Sequence, residues 1–189
     1  MAWLAAETDD TVWPMTADMV LQMVDKGLLD GERVELLDGR LLAVAPQGPE
    51  HRYVGHRIRH VLEDAYGRDR VDGQAPLVGD EHALPEPDAF VTRTPLADFR
   101  QRHPRGSDCL LVVEVAQTSQ RRDRAKADIY ARIGVPEYWL VDLVAQRVER
   151  YSRPIDDARY ASTQVLTSDE TLTLPDTDIT HTVASLFGN

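Results

Sequence analysis

The sequence has only one cysteine, Cys109, among its 189 residues. A single thiol excludes an internal disulfide framework and a cysteine-rich zinc site. Because Cys109 begins an apolar segment, we expect it to be buried and unreactive. The sequence also lacks an apolar run long enough to cross a bilayer, and residues 1–15 lack the basic start and long apolar stretch of a secretory signal. These absences predict a cytoplasmic protein with no membrane partner.

Several catalytic motifs are missing as well. There is no glycine-rich phosphate loop, no His-Glu-x-x-His and no Gly-x-Ser-x-Gly elbow. The six histidines show no tight metal-ligand spacing. The sequence therefore gives little support to nucleotide-loop, zinc-peptidase or serine-hydrolase chemistry.

Positive charge is scarce, since the net charge is −11. Such a charge repels phosphate and is unusual for an enzyme that acts on nucleic acid. The basic residues are nevertheless concentrated, because the segment from Arg100 to Arg132 has eight basic and four acidic residues. This segment predicts either a locally basic face or an ordinary solvated helix surface.

The length and composition fit one globular domain. The hydrophobic fraction is 42% and the charged fraction is 28%, as in typical soluble domains. No repeat or linker divides the chain. We predict a flexible lead-in over residues 1–15 and a single domain over residues 16–189.

Local patterns predict a mixed α/β fold. Apolar spacing and capping residues predict helices at Thr16–Gly27, Pro49–Tyr66, Arg121–Ile133 and Val183–Phe187. Strands are predicted at Arg33–Leu37, Arg40–Ala45, Arg70–Val78, Asp88–Thr92, Cys109–Val115, Tyr138–Leu143, Arg147–Ser152, Tyr160–Leu166 and Thr171–Leu174. The segment from Pro95 to Ser107 is predicted to be a loop with a short helical turn. The order favours a mixed central sheet with helices packed on it.

Two acidic residues occupy positions where acids need an explanation. Glu114 lies in the most apolar strand, where an unpaired carboxylate costs several kcal/mol unless it is paired, protonated or metal-bound. The alternative is that Glu114 sits near the strand end and reaches solvent. Asp88 follows Pro87 at the start of a short strand. An acidic residue at such a position does not by itself indicate a functional site. If the two strands are neighbours, the two carboxylates form a site for a hard cation such as Mg²⁺.

Lys126 is the third unusual residue, because it starts an apolar stripe with Ile129, Tyr130 and Ile133 on the predicted helix. A lysine in this position usually extends to the surface. Here the helix directly follows the strand that contains Glu114. The Lys126 ammonium group can therefore lie close to the Glu114 carboxylate. Asp123 is expected to pair with Lys126 or Arg122. Two acids and a lysine meet the needs of phosphodiester hydrolysis, in which a metal activates water and a cation stabilises developing charge.

Two further residues are candidate auxiliaries. Glu35 lies in the first strand and either supports the metal site or is an exposed strand glutamate. His51 shares a helical stripe with Val54 and Ile58. It either contacts a phosphate or positions water, or it is a capping or satisfied core histidine.

A set of short motifs resembles a known family. They are Glu35-Leu-Leu-Asp-Gly-Arg, Pro49-Glu-His51, Pro87-Asp88, Val112-Val-Glu-Val115, Arg121-Arg-Asp123 and Gly134-Val-Pro-Glu-Tyr-Trp-Leu-Val-Asp142. In this order they resemble the Uma-type putative restriction endonuclease family, a branch of the PD-(D/E)XK nuclease superfamily, from about Met15 to Phe187. The Gly134–Asp142 block is the most specific motif.

The resemblance implies a restriction-endonuclease-like core and a role for each site residue. The metal-binding acids of the superfamily correspond to Asp88 and Glu114. The usual lysine position, two residues after the glutamate, is Ala116 here, so the resemblance points to Lys126 on the following helix. The usual turn after the strand is replaced by Gln117-Thr-Ser-Gln, and Gln117 is expected to face the metal.

The leading hypothesis is a DNA endonuclease that uses Mg²⁺, with Mn²⁺ as a possible substitute. Asp88, Glu114 and the Val115 carbonyl are its predicted metal ligands, Lys126 acts through its charge, and the auxiliaries are Glu35, His51 and Gln117. One alternative is an inactive nuclease-fold module that binds nucleic acid or protein. Another is a phosphodiesterase that acts on small nucleotides. Cleavage of both strands favours a homodimer, for which the apolar Tyr138–Val148 hairpin is a candidate interface.

Overall fold

The computed structural model describes residues 12–155 and 158–188. Most of the predicted lead-in therefore lies outside the described residues. At its end, the Met15 backbone N–H donates a 2.8 Å hydrogen bond to the Gly39 carbonyl. The chain is thus attached to the first hairpin before the first helix begins.

The elements follow the predicted order. The helices are α1 (Ala17–Asp25), α2 (Pro49–Tyr66), α3 (Gln120–Arg132) and α4 (Val183–Phe187). The strands are β1 (Val34–Leu37), β2 (Arg40–Ala43), β3 (Val71–Asp72), β4 (Ala89–Thr92), β5 (Cys109–Ala116), β6 (Glu137–Asp142), β7 (Arg147–Ile155), β8 (Arg159–Leu166), β9 (Thr171–Thr173) and β10 (Thr180–Thr182). Among the helices and strands named above for the described residues, β10, a three-residue partner of β9, is the one that the sequence patterns do not predict.

Local chemistry explains most of these bounds. The Thr16 hydroxyl accepts a hydrogen bond from the Met19 N–H and caps α1. Asp38 and Gly39 have φ values of 47° and 76°, as the tight turn between β1 and β2 requires. Pro49 begins α2, where a missing N–H costs nothing, and Gly67 ends it with φ 87°.

The central sheet has six strands in the order β3-β4-β5-β6-β7-β8. Neighbouring strands are antiparallel except for β5 and β6, which are parallel and joined through α3. The predicted mixed α/β fold is therefore confirmed. The β6–β7 hairpin lies between β5 and β8, so it has no free edge for a second copy, and a homodimer stays a prediction.

The predicted strand over Arg70–Val78 is wrong beyond Asp72. Only Val71 and Asp72 pair with β4. Gly73 then passes so close to the Asp88 backbone that a Cβ on it would lie 2.1 Å from the Asp88 carbonyl oxygen. Gln74 has φ 55°, which takes the chain out of the extended conformation. Residue patterns alone do not reveal such a close approach.

Strand β5 is buried on both faces, which explains its almost unbroken apolar sequence. Val113 and Val115 belong to an apolar cluster with α2 and α4. Val112 and Ala116 belong to a second cluster, on the α3 side. Because side chains alternate along a strand, Glu114 shares the α3 face.

Among the residues that the structure describes, none of the helices has the length and apolar character needed to traverse a lipid bilayer.

Candidate active site

A cleft of about 150 Å³ opens where α2, the end of β5 and the start of α3 meet. All the residues proposed from the sequence as site residues contribute to its wall: Glu35, His51, Asp88, Glu114, Val115, Gln117 and Lys126. They come from both faces of the central sheet. The fold thus brings together residues that are up to 91 positions apart in the chain.

Asp88 lies immediately before β4, beside the end of the neighbouring strand β5. Its Oδ2 accepts a 2.8 Å hydrogen bond from the Val115 backbone N–H. Its Oδ1 accepts a 2.7 Å bond from the Gln47 side-chain amide. The carboxylate is therefore held in a fixed orientation next to the residue that follows Glu114.

Glu114 is only 4% exposed, so it does not reach solvent. Its Oε1 accepts hydrogen bonds from Lys126 Nζ at 2.8 Å and from the Tyr130 hydroxyl at 2.7 Å. Burial raises the pKa of Glu114 well above its usual value, against the opposing effect of the Lys126 charge. The nearby carboxylates of Asp88, Asp123 and Glu35 raise this pKa further.

Lys126 is 2% exposed and does not extend to the surface. Its Nζ lies 2.9 Å from Glu35 Oε1 and 3.8 Å from Asp123 Oδ1, in addition to its bond to Glu114. Burial lowers the pKa of Lys126, but the charges of Glu114, Glu35 and Asp123 outweigh it and raise the pKa above its usual value. The lysine is therefore held in its charged form.

Glu35 is a buried member of the cleft, not an exposed strand glutamate. Its Oε1 bonds Lys126 and also accepts a 3.3 Å hydrogen bond from the Glu86 backbone N–H. Its Oε2 is buried without a partner among the described residues. Asp123 accepts a hydrogen bond from the Ser119 hydroxyl, and burial raises its pKa.

His51 approaches from the first turn of α2, with Nε2 3.2 Å from Asp88 Oδ2. Burial lowers its pKa, but the hydrogen bond and charge of Asp88 outweigh burial, so the pKa is raised overall. Its Nδ1 is buried without a partner among the described residues. His51 is thus neither a helix cap nor a satisfied core histidine.

Gln117 lines the cleft immediately after β5. Its amide Nε2 donates to Glu50 Oε2 at 3.3 Å, which connects the turn after β5 to the first turn of α2. The side chain is exposed.

The sequence patterns do not identify Tyr130 and Gln47, which form hydrogen bonds with the carboxylates of the site. The sequence pattern places Tyr130 only in an apolar stripe, yet its hydroxyl donates a hydrogen bond to Glu114. Its position four residues after Lys126 is the signal that was available, because i and i+4 share a helix face. Gln47 lies in a loop, and no local pattern marks its bond to Asp88.

The charges that line the cleft fit a bound cation. Five carboxylates and three cationic side chains contribute to it: Glu35, Glu86, Asp88, Glu114 and Asp123, with Arg33, Arg122 and Lys126. The excess of buried negative charge and the orphaned Glu35 oxygen both favour an added positive charge. Among the described residues, no three His, Cys, Asp or Glu side chains form a ready metal cluster. Mg²⁺ commonly uses only one or two carboxylates with water and substrate phosphates, so the donor set fits this ion.

The basic segment from Arg100 to Arg132 does not form a free basic face. Five of its eight basic residues are within salt-bridge distance of carboxylates: Arg102, Arg122, Arg124, Lys126 and Arg132. The pair formed by Arg124 with Glu149, at 2.7 Å, connects α3 to β7. Most of this charge is therefore paired with carboxylates of the same chain.

One of the solved structures that are similar to this chain shares its architecture. The crystal structure of a putative nuclease belonging to DUF820 from Anabaena variabilis ATCC 29413 matches with a TM-score of 0.70 and 18% identity, over 93% of this chain and 98% of that chain. The type IIG restriction endonuclease BpuSI matches with a TM-score of 0.41 and 17% identity, over 80% of this chain and 17% of that chain. No curated protein matches the sequence. A family model described as "Uma2: Putative restriction endonuclease" matches residues 18–181. The chain therefore belongs to the Uma2 family.

Proposed function

We propose that this protein is a metal-dependent endonuclease that hydrolyses phosphodiester bonds in DNA. One observation carries the proposal: Asp88, Glu114 and Lys126, which are distant in the sequence, line a single cleft. Membership of the Uma2 family supports the same reaction class. The family description names nuclease chemistry, and the cleft contains residue types that this chemistry needs.

Asp88 and Glu114 would hold the ion, with the Val115 carbonyl as a further oxygen donor. Mg²⁺ is the proposed ion and Mn²⁺ the expected substitute, because both prefer oxygen ligands. When bound, such an ion lowers the pKa of water and polarises the phosphate.

The protein side chains have distinct roles in this proposal. The Val115 N–H and the Gln47 amide orient the Asp88 carboxylate. Lys126 keeps its proton and places a positive charge in the cleft, where negative charge develops on the phosphate. The Tyr130 hydroxyl positions Glu114. Glu35 positions Lys126. His51 and Gln117, at the mouth of the cleft, are placed to contact water or phosphate.

Nicking of supercoiled plasmid tests the proposal. The wild-type protein should nick DNA with Mg²⁺ or Mn²⁺ and lose this activity in EDTA. Asp88→Ala and Glu114→Ala should each abolish nicking, whereas Asp64→Ala, at an exposed position on α2, should not. Nicking that survives in both site variants would refute the assignment. Parallel assays with mononucleotide diesters test the preference for long DNA.

A second candidate is a binding module without catalysis. One feature favours it, since the Lys126 ammonium is already engaged by Glu35 and Glu114. Titration calorimetry with Mn²⁺ separates the two candidates. Heat of binding that disappears in Asp88→Ala supports the endonuclease, and the absence of binding together with retained DNA affinity supports the module.

A further inference from the structure

A larger groove of about 940 Å³ lies beside the candidate active site, along the N-terminal half of α2. It shares five lining residues with the cleft: Arg33, Pro46, Gln47, His51 and Asp88. The two spaces are therefore continuous at Asp88. A chain molecule that lies in the groove reaches the carboxylates directly.

The groove is cationic although the protein as a whole is strongly acidic. Its lining includes the arginines Arg33, Arg52 and Arg59 and the histidines His51 and His56, and Asp88 is its single carboxylate. Within residues 12–155 and 158–188, none of the three arginines forms a salt bridge with a carboxylate. The Arg59 Nε atom is buried without a hydrogen-bond partner there. This situation contrasts with Arg124 on α3, which is paired with Glu149.

Helical geometry explains how α2 lines the groove. Arg52, Gly55, His56 and Arg59 are spaced three, four and seven residues apart, so they share one face of the helix. Val54, Ile58 and Leu62 pack against the sheet on another face. Arg52 and Arg59 are two turns apart, or about 10 Å along the axis. That distance covers about three phosphates of one DNA strand.

We propose that this groove binds the phosphate backbone of DNA and leads one strand past Arg33 to Asp88. The inference rests on the proposed function and adds the path of the substrate. A row of free arginines that ends at a hydrolytic site fits a linear polyanion. It also resolves the conflict with the net charge of −11, because the charge that matters for binding is local.

Gly55 provides a test in which the arginines and the candidate active-site residues are not themselves substituted. A Cβ built at Gly55 meets nothing within 4 Å, and the residue lies inside a regular helix. Gly55→Glu adds a carboxylate one turn from both Arg52 and Arg59, Gly55→Lys adds a cation, and Gly55→Gln is the uncharged reference. Gln22→Glu, on the exposed side of α1, adds the same negative charge outside the groove.

The affinity of each variant for a fluorescein-labelled DNA duplex is measured by anisotropy in EDTA, so that no cleavage occurs. Relative to Gly55→Gln, Gly55→Glu should weaken binding about tenfold at low salt, and Gly55→Lys should tighten it. Gly55→Glu should also reduce the slope of log Kd against log salt by about one. Gln22→Glu should have a much smaller effect.

The outcomes separate this inference from the proposed function. If the Glu, Lys and Gln variants at Gly55 bind DNA equally well and the wild-type protein nicks plasmid, the proposal that the groove binds DNA is refuted. The proposed endonuclease function is then unaffected. If DNA affinity depends on the charge at position 55 but nicking survives in Asp88→Ala and Glu114→Ala, DNA binding in the groove is supported. The assignment of the active site is then refuted. Failure of the wild-type protein both to bind DNA at low salt and to nick plasmid with Mg²⁺ or Mn²⁺ would overturn both.

Discussion

Lys126 Nζ and Glu114 Oε1 lie 2.8 Å apart in the interior of the protein. The two residues are twelve positions apart, which is the length of the turn after β5 and the first part of α3. The turn reverses the direction of the chain. Helix α3 therefore places the Lys126 ammonium group beside Glu114 on β5. Both residues are buried and both line the cleft, so a substitution at either should affect the stability of the protein as well as the candidate active site.

Lys126→Met should destabilise the protein strongly at neutral pH. The substitution removes the cation but leaves Glu35, Glu114 and Asp123 in the interior, and breaking a buried ion pair in this way costs about 3–5 kcal/mol. The loss should be smaller at acid pH, where the carboxylates take up protons. Urea unfolding at two pH values measures both effects. Lys26, the only other lysine, is exposed at the end of α1, and Lys26→Met should change the free energy of unfolding by less than about 0.5 kcal/mol.

Glu114→Gln should change the pH dependence of stability. Burial raises the folded-state pKa of Glu114 above its usual 4.5, so the folded protein binds this proton more tightly than the unfolded chain. The stabilisation is complete below the unfolded pKa and is lost as pH rises through the folded pKa. Relative to Glu114→Gln, the wild-type protein should therefore become progressively less stable from acid to neutral pH. Urea unfolding across that range, with Glu32→Gln as the exposed control, measures the difference; a constant offset would contradict the prediction.

Tyr130→Phe should weaken metal binding as well as stability. It removes the hydroxyl that donates to Glu114 Oε1, which costs about 1 kcal/mol. Loss of this donor favours protonated Glu114 and therefore opposes a cation at neutral pH. Tyr66→Phe is the matched control, because its hydroxyl bonds the Pro175 carbonyl away from the cleft. Mn²⁺ calorimetry should show weaker binding only for Tyr130→Phe, and equal affinity in both variants would count against the role of Tyr130.

Gly73→Ala should destabilise the protein and displace Asp88. The added Cβ would lie 2.1 Å from the Asp88 carbonyl oxygen, so the backbone must move, at a cost of about 1–3 kcal/mol. Gly55→Ala has open space around its Cβ and should stabilise α2 by up to about 1 kcal/mol. Thermal unfolding measures both changes. Nicking should fall in Gly73→Ala at temperatures where the protein is fully folded, which separates displacement of Asp88 from unfolding.

The local elements were predictable because their signals are local. Asp38-Gly39 permits the positive φ values of a tight turn, and Pro49 and Gly67 mark the two ends of α2. The strand predicted over Arg70–Val78 was wrong beyond Asp72 because its end depends on a contact that is not local in the sequence. The strand ends where Gly73 lies close against the backbone of Asp88, a contact between segments fifteen residues apart.

The sequence by itself determined most of the elements, the fold class and the unusual positions of Glu114 and Lys126, since periodicity and charges within apolar segments can be recognised from the sequence. Tertiary structure decided which charges are neutralised. It buried Lys126 among three carboxylates and paired Arg124 with Glu149, yet it left Arg52 and Arg59 beside an open groove. The physical reason is that the effect of a charge depends on its solvation and its partners, and both are set by contacts between segments that are distant in the chain.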